Sequence, residues 1–451
     1  GSAPAHSKCR RPGEPLSCIF DTAQSNDTNE RRSGVQSPHS PLRRTVIMTA
    51  IVISGEAIFL LPFVVPRVFR PTLLDVFGIT NLELGTAFSL YGIVAMFSYF
   101  AGGPLADRFS VRRLMASALV VTSLGGAYLT TIPPLSGLCV VYAFWGMSTI
   151  LLFWAALIRA TREWGGEFRQ GTAYGILDGG RGVVAAGLAL AGTYVLQWVL
   201  PDDVDSATLE QKSAALQQVI WIFTSMSVLA AVLIWFCVPD SQTRETTDAG
   251  KRFSLKHVPT VLRNPAVWLQ GVIVVCAYTG YKGADDFGLY SRDVFDFDDV
   301  QAARLSTLSL WLRPVTALTA GVVADKIGAS RSVLICFAVL AIGDLAIAFG
   351  VPHPGVPWML FVVVAGTSAM VYGLRGIYFA LFPEAQVSVA LTGTAVGIVS
   401  FIGYTPDVFM GPLMGYLTDT FPGALGHQYL FGALAGFAAC GYLATLAFQW
   451  I

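Results

Sequence analysis

An all-α membrane bundle made of two similar six-helix halves is the fold class this sequence predicts, and three observations predict it. Of 451 residues, 54% are hydrophobic and 13% charged, whereas a soluble globular chain carries about 25% charged residues. The apolar residues gather into runs of about 20, the length that crosses a hydrocarbon core at roughly 1.5 Å per residue. The chain also echoes itself. GTAYGILDGGRG from Gly171 to Gly182 returns as GTAVGI from Gly393 to Ile398, 222 positions on (393 − 171), and Ala106-Asp107-Arg108 returns as Ala324-Asp325-Lys326, 218 on (324 − 106).

Residues 1–44 are rich in Ser, Pro, Arg and Asn and hold no apolar run, which predicts a disordered cytoplasmic tail and not a cleavable signal peptide. Twelve spans are then predicted at about 46–66, 82–104, 114–132, 136–159, 172–199, 218–238, 266–289, 303–323, 332–350, 357–382, 389–416 and 427–450. Between them stand residues that cannot continue a helix, among them Pro133-Pro134, Pro352-His353-Pro354 and Pro422-Gly423. Lys and Arg crowd one side of this arrangement, from Arg43 and Arg44 through Arg112 and Arg113 to Lys326 and Arg331. The other side has few, namely Arg67, Arg70, Lys212, Arg292 and Arg304. The asymmetry predicts that both termini are cytoplasmic. The two halves are then 45–238 and 265–451, joined by a polar cytoplasmic linker at 239–264.

The stretch Gly102-Gly103-Pro104-Leu105-Ala106-Asp107-Arg108-Phe109-Ser110-Val111-Arg112-Arg113 follows the second predicted span. It resembles the cytoplasmic signature G-x-x-x-D-R-x-G-R-R of the major facilitator superfamily of secondary transporters. A weaker copy runs from Gly321 to Arg331, where that family places its second one. The resemblance covers nearly everything after residue 45. It implies twelve helices that open alternately to either side, with a gate built from Asp107, Arg108, Arg112 and Arg113 and from Asp325, Lys326 and Arg331. A carboxylate at a helix end accepts from basic neighbours and free backbone N–H groups; the bland alternative is that these charges only set topology. Ser110 stands where the family's usual glycine would allow a sharper turn.

Ionisable groups inside spans need a reason, because one at the bilayer centre costs at least ~2.5–3.5 kcal/mol. Arg313, Arg375, Arg181, Asp178 and Lys282, with Tyr91 and Tyr404, are the expected substrate-binding residues; Glu56 and Asp407 are the expected proton carriers. Simpler readings stand beside some of these. Asp178 and Arg181, three apart on one helix, neutralise one another, and Lys282 near Asp285 and Asp286 snorkels to the interface. Tyr404 precedes Thr405-Pro406-Asp407, where the proline permits a bend as readily as a binding site. Glycines four apart, Gly171, Gly175 and Gly179 with Gly393 and Gly397 in the second copy, predict a face for close helix approach.

The excess of deep cations points to a small organic anion, a carboxylate, phosphate ester or sulfonate. The bundle is similar to the organic-anion and organophosphate side of the superfamily. That implies coupling to protons or to anion exchange. Two other functions compete: a proton-driven exporter of cationic or amphipathic compounds using Glu56, Asp178 and Asp407, and a non-transporting receptor on the same fold. The sequence carries no Walker loop, no G-x-S-x-G and no His/Cys metal spacing among its seven cysteines, so neither an enzyme nor a cofactor nor a metal is expected. With 29 basic and 29 acidic residues, nucleic acid is not expected as a partner. The expected partners are the lipid bilayer, the substrate, and protons or a counter-anion, for a monomer in the cell membrane.

Overall fold

The computed structural model describes residues 40–165, 170–240, 258–382, 384 and 392–451. The chain forms two units, Gly1–Thr45 and Val46–Ile451, and the second carries the membrane bundle. The predicted disordered tail lies almost wholly outside the described residues, as does 241–257 of the predicted linker.

Every long element is an α-helix. In order they are α1 (Pro41–Val68), α2 (Asn81–Arg108), α3 (Val111–Leu129), α4 (Leu135–Gly165), α5 (Gln170–Val199) and α6 (Leu209–Cys237) in the first half. The second half has α7 (Pro265–Gly283), α8 (Asp299–Ile327), α9 (Ala329–Ala348), α10 (Trp358–Ile377), α11 (Thr392–Gly403 with Pro406–Thr420) and α12 (Ala424–Gln449). Among the described residues, 10 helices are long and apolar enough to cross a membrane on their own; α3 and α7, of 19 residues each, complete the twelve. The repeats seen in the sequence fall on matching helices. Gly171 and Gly393 open α5 and α11, the fifth helix of each half, and Asp107 and Asp325 close α2 and α8, the second.

Local chemistry sets the helix starts. Thr80 with Glu83, Thr208 with Gln211, and Asp298 with Gln301 each form a reciprocal capping box at the N-terminus of α2, α6 and α8. All three lie on the end of the bundle that carries the α1–α2 connection, where the sequence also folds an unforeseen short helix, Arg70–Phe77, closed by Gly78 at φ 59°. The seventh span also runs further than predicted. A 3₁₀ turn, Ala284–Asp286, links α7 to the helix Phe287–Phe295, so Asp285 and Asp286 sit inside the fold and not at its rim.

Two helices are wound wide. Leu60–Val64 in α1 and Met147–Trp154 in α4 are π-helical. Pro62 lacks the N–H that would bond the Ala57 carbonyl, which accepts from Ser227 Oγ of α6 at 3.0 Å instead. In α4, Thr149 Oγ1 donates back to the Trp145 carbonyl at 2.6 Å. The bend expected at Pro406 is present as a two-residue break in α11 at Tyr404 and Thr405.

The halves meet through α2 against α11 and α5 against α8. A Cβ on Gly411 would lie 2.8 Å from the Gly85 carbonyl oxygen, and one on Gly92 would lie 2.7 Å from the Asp407 carbonyl oxygen, so only glycine permits that approach. Asp419 of α11 then accepts from the first backbone N–H groups of α2, Leu82 N at 2.7 Å and Asn81 N at 3.3 Å. The expected glycine stripe is corrected here. A Cβ on Gly175 or Gly179, near the start of α5, would meet nothing within 4 Å; α5 touches α8 further along, where Gly182 abuts Pro314. The side-chain surroundings of Gly171 and Gly393 lie outside the described residues, and Gly397 is half-buried in α11. Gly103 and Gly321, beyond the midpoints of α2 and α8, also face open space. The bundle is therefore tight at its α1–α2 end and parted toward the other.

Candidate functional site

Between the halves lies an open cavity, with about 810 Å³ of space between its atoms when the mouth is included. The π-turn of α1 places Phe59, Phe63 and Val64 on its wall, and that of α4 places Ile150 and Trp154 opposite. Its charges fall into two groups.

The first joins the halves at Glu56. Glu56 Oε2 accepts from Arg181 Nε of α5 at 3.0 Å, and Oε1 accepts from Arg313 Nη1 of α8 at 3.3 Å. Arg313 also donates from Nη2 to Asp178 Oδ1 at 3.2 Å. Glu56, Arg181 and Arg313 are all buried, so each guanidinium sits where a carboxylate offsets the cost of its desolvation. Two expectations change. Asp178 and Arg181 do not neutralise each other but reach separately to α8 and α1. Arg313, which has no partner in its own helix turn, finds two across the bundle.

The second group lies toward the α1–α2 end. Lys282 Nζ contacts Asp407 Oδ1 at 3.3 Å and Asp285 Oδ2 at 3.7 Å, while Arg67 of α1 donates to the other Asp285 oxygen, Oδ1. Tyr278 holds both Asp407 oxygens at 3.1 Å. Lys282 is 3% exposed, which rules out snorkelling. Its ammonium lies over the rings of Phe63 and Phe88 at 4.8 and 4.9 Å. It stands behind the cavity wall and not in it, and the half-exposed Asp178 is also outside the lining; Arg181, Arg313, Arg375, Tyr91, Tyr404, Glu56 and Asp407 line the space.

Arg375 differs from the other cations. Among the described residues it makes no ion pair, and its guanidinium rests 4.0 Å from the centre of the Tyr281 ring. Around it stand further tyrosines. Tyr278 packs edge-on to Tyr404 at 5.0 Å, Tyr99 stacks on Tyr404 at 6.0 Å, and the Tyr378 and Tyr404 hydroxyls are 3.5 Å apart. The result is a cation in an aromatic box with hydroxyl groups at hand for a polar ligand body.

Sequence reasoning missed Arg67, Tyr278 and Tyr99, all of which line the cavity, as does Tyr281. Arg67 follows Pro66 at the end of a predicted span and reads as a loop charge; its signal would have been Asp285, 218 residues on, at the same position of the second half.

The expected gate is partly redrawn. The Asp107 side chain lies outside the described residues, and Arg108, Asp325, Lys326 and Arg331 are exposed. Arg112 and Arg113 pair with Asp240, which follows α6, at 2.8 and 3.5 Å, so these bonds tie the first half to itself. In the second half Glu384 accepts from Ala329 N at 2.9 Å and Ser330 N at 3.4 Å, capping α9.

Comparison with known proteins agrees with this architecture. The Major Facilitator Superfamily profile matches residues 45–365. The chain is 28% identical over 417 residues to inner membrane protein YqcE of Escherichia coli K12, covering 91% of this chain and 95% of that one. To inner membrane protein YihN of the same organism it is 26% identical over 410 residues, covering 90% and 95%. Among solved structures, a bacterial homolog of the human lysosomal transporter Spinster, inward-facing and unoccupied, superposes with TM-score 0.69 at 14% identity, covering 91% of this chain and 99% of that one. The nucleoside transporter NupG gives 0.68 at 12% identity, covering 90% and 99%.

Proposed function

Since this chain belongs to the Major Facilitator Superfamily, a family of membrane transporters, we propose that it carries a small organic anion by alternating access, as a secondary transporter. The observation that carries this reading is Arg375, a guanidinium on the cavity wall with no carboxylate on it among the described residues. A planar donor fork of this kind suits carboxylate, sulfonate or phosphate oxygens. A cationic cargo is disfavoured, because Glu56, Asp178 and Asp407 are each engaged by Arg or Lys.

Coupling runs through protons or through exchange of one anion for another. Glu56 accepts from two guanidiniums, and the bond from Arg313 joins the halves, so the coupling carboxyl in a proton-driven cycle is Asp407, at the break in α11. The basic loops favour a cytoplasmic position for the parted end of the bundle, which supports reading this as the inward-facing state of a transporter that works as a monomer. Two relatives named as inner membrane proteins support the same membrane here.

Counterflow with purified protein in liposomes tests the reading, using panels of carboxylates, sulfonates and phosphate esters with and without a pH gradient. Exchange of anions that is lost in Arg375→Gln is the expected result. Preference for cations, or inactivity toward every solute, sinks it; the second outcome favours the receptor.

A further inference from the structure

We infer that the cavity is built for a substrate bearing one negative charge, a carboxylate or sulfonate monoanion, and that Tyr281 is the positioning residue that keeps Arg375 available to it. This rests on the anion-carrier reading above and narrows it.

The cations at the cavity pair off one to one. Arg181 has Glu56, Arg313 has Asp178, Lys282 has Asp407 and Arg67 has Asp285. Each of these four cations is buried. Arg375 is left over. The cavity's charge is that of the groups lining it together with their direct ion-pair partners; among the described residues Arg70 is neither, and it donates to the Asp285 backbone carbonyl at 3.2 Å instead. The site therefore carries a surplus of one positive charge, on the one guanidinium that is only half-buried. A monoanion on Arg375 makes the cavity neutral. A dianion leaves one negative charge uncompensated between low-dielectric walls, and drawing a second cation to it means stripping that cation from its own carboxylate.

Tyr281 explains how the surplus is held. Its ring centre lies 4.0 Å from the Arg375 guanidinium carbon and 4.2 Å from that of Arg67. An aromatic face attracts a cation without neutralising it and leaves the in-plane N–H donors free. An acid in that place would fix Arg375 equally well and cancel the charge.

The test compares ligands of one skeleton and different charge by binding to the purified full chain and by counterflow. Suitable probes are glycerol 3-phosphate against its methyl diester, and hexose 6-phosphate against hexuronate, at pH 5.5 and 8. Monoanions should bind at least about tenfold tighter at pH 8. Phosphate monoesters should weaken as pH rises through about 6, where their second proton leaves, while an alkyl sulfonate holds level. Tyr281→Leu should cost monoanions about tenfold in affinity and Tyr281→Phe, which keeps the ring, should restore it; Tyr281→Phe also serves if the leucine variant does not fold. Dianions bound as tightly as monoanions at pH 8, or full affinity in Tyr281→Leu, overturn this inference alone. Failure of every anion to bind overturns the carrier reading with it.

Discussion

Glu56 of the first half accepts from Arg313 of the second at 3.3 Å, across 257 positions of chain, and the same carboxylate takes Arg181 at 3.0 Å. Glu56→Gln removes the carboxylate on which Arg181 depends and one of two that serve Arg313. Breaking a buried pair from one side costs about 3–5 kcal/mol. The expected outcome is a lower denaturation midpoint in detergent together with loss of counterflow, since the link joins the moving parts. A variant as stable as the parent would show that the pair is not formed in the membrane.

Arg375→Gln should leave stability nearly unchanged, because no carboxylate is orphaned by it. Loss of a charge-assisted hydrogen bond worth about 1.5–3 kcal/mol should weaken anion binding by roughly tenfold or more. Arg375→Lys should recover part of that, as an ammonium has no planar fork. Titration with a labelled anion checks both.

Asp407→Asn separates coupling from binding. If protons drive accumulation, the variant should lose uptake on a pH gradient while anion counterflow persists. Equal gradient-driven uptake in parent and variant would move the coupling elsewhere.

Glycine positions distinguish the packed end of the bundle from the parted one. Gly411→Leu puts a side chain against the Gly85 backbone, where even a Cβ would stand 2.8 Å from its oxygen. It should hold the α1–α2 end open and abolish transport at normal expression. Gly175→Leu should fold and bind ligand in the state described here. Thiol-reagent accessibility of single cysteines near each end reads the difference.

Asp75 anchors the outer ion pairs, contacting Arg292 at 3.1 Å and Lys212 at 3.0 Å, with Asp299 completing the Lys212 pair at 2.9 Å. Asp75, Arg292 and Lys212 are partly exposed, so Asp75→Asn should cost about 1 kcal/mol or less. The population with this end open should rise, and the effect should shrink in high salt. Distances between spin labels across that end measure it.

How much of this was legible follows from what each signal measures. Hydropathy reports depth in a membrane, and the helix order and the depth of Arg313 and Arg375 came from it, while the repeat came from matching short motifs. It does not report direction around a helix. Arg313 gave no hint in its own turn of Glu56 or Asp178, because those partners arrive from α1 and α5. Glycine spacing told which faces allow close approach but not which are used. Gly175 and Gly179 are spaced four apart and face open space, while Gly85, Gly411 and Gly415, on α2 and α11, take the contact. Arg67 failed for a third reason. Pro66 beside it suggested the end of a span, whereas the π-turn just before it keeps the helix going to Val68.

That π-turn also has the geometry of a screw thread. A segment wound with one residue too many can pass that residue along or shed it, and each residue of α-helix corresponds to about 100° of rotation. Shedding it at Leu60–Val64 would turn everything beyond by that angle, swinging Arg67 away from Asp285 without bending the helix or breaking a peptide plane. Rotation of that one short segment would free the Arg67–Asp285 link between the halves, leaving the α2–α11 contact and the Asp75 pairs to part in their turn.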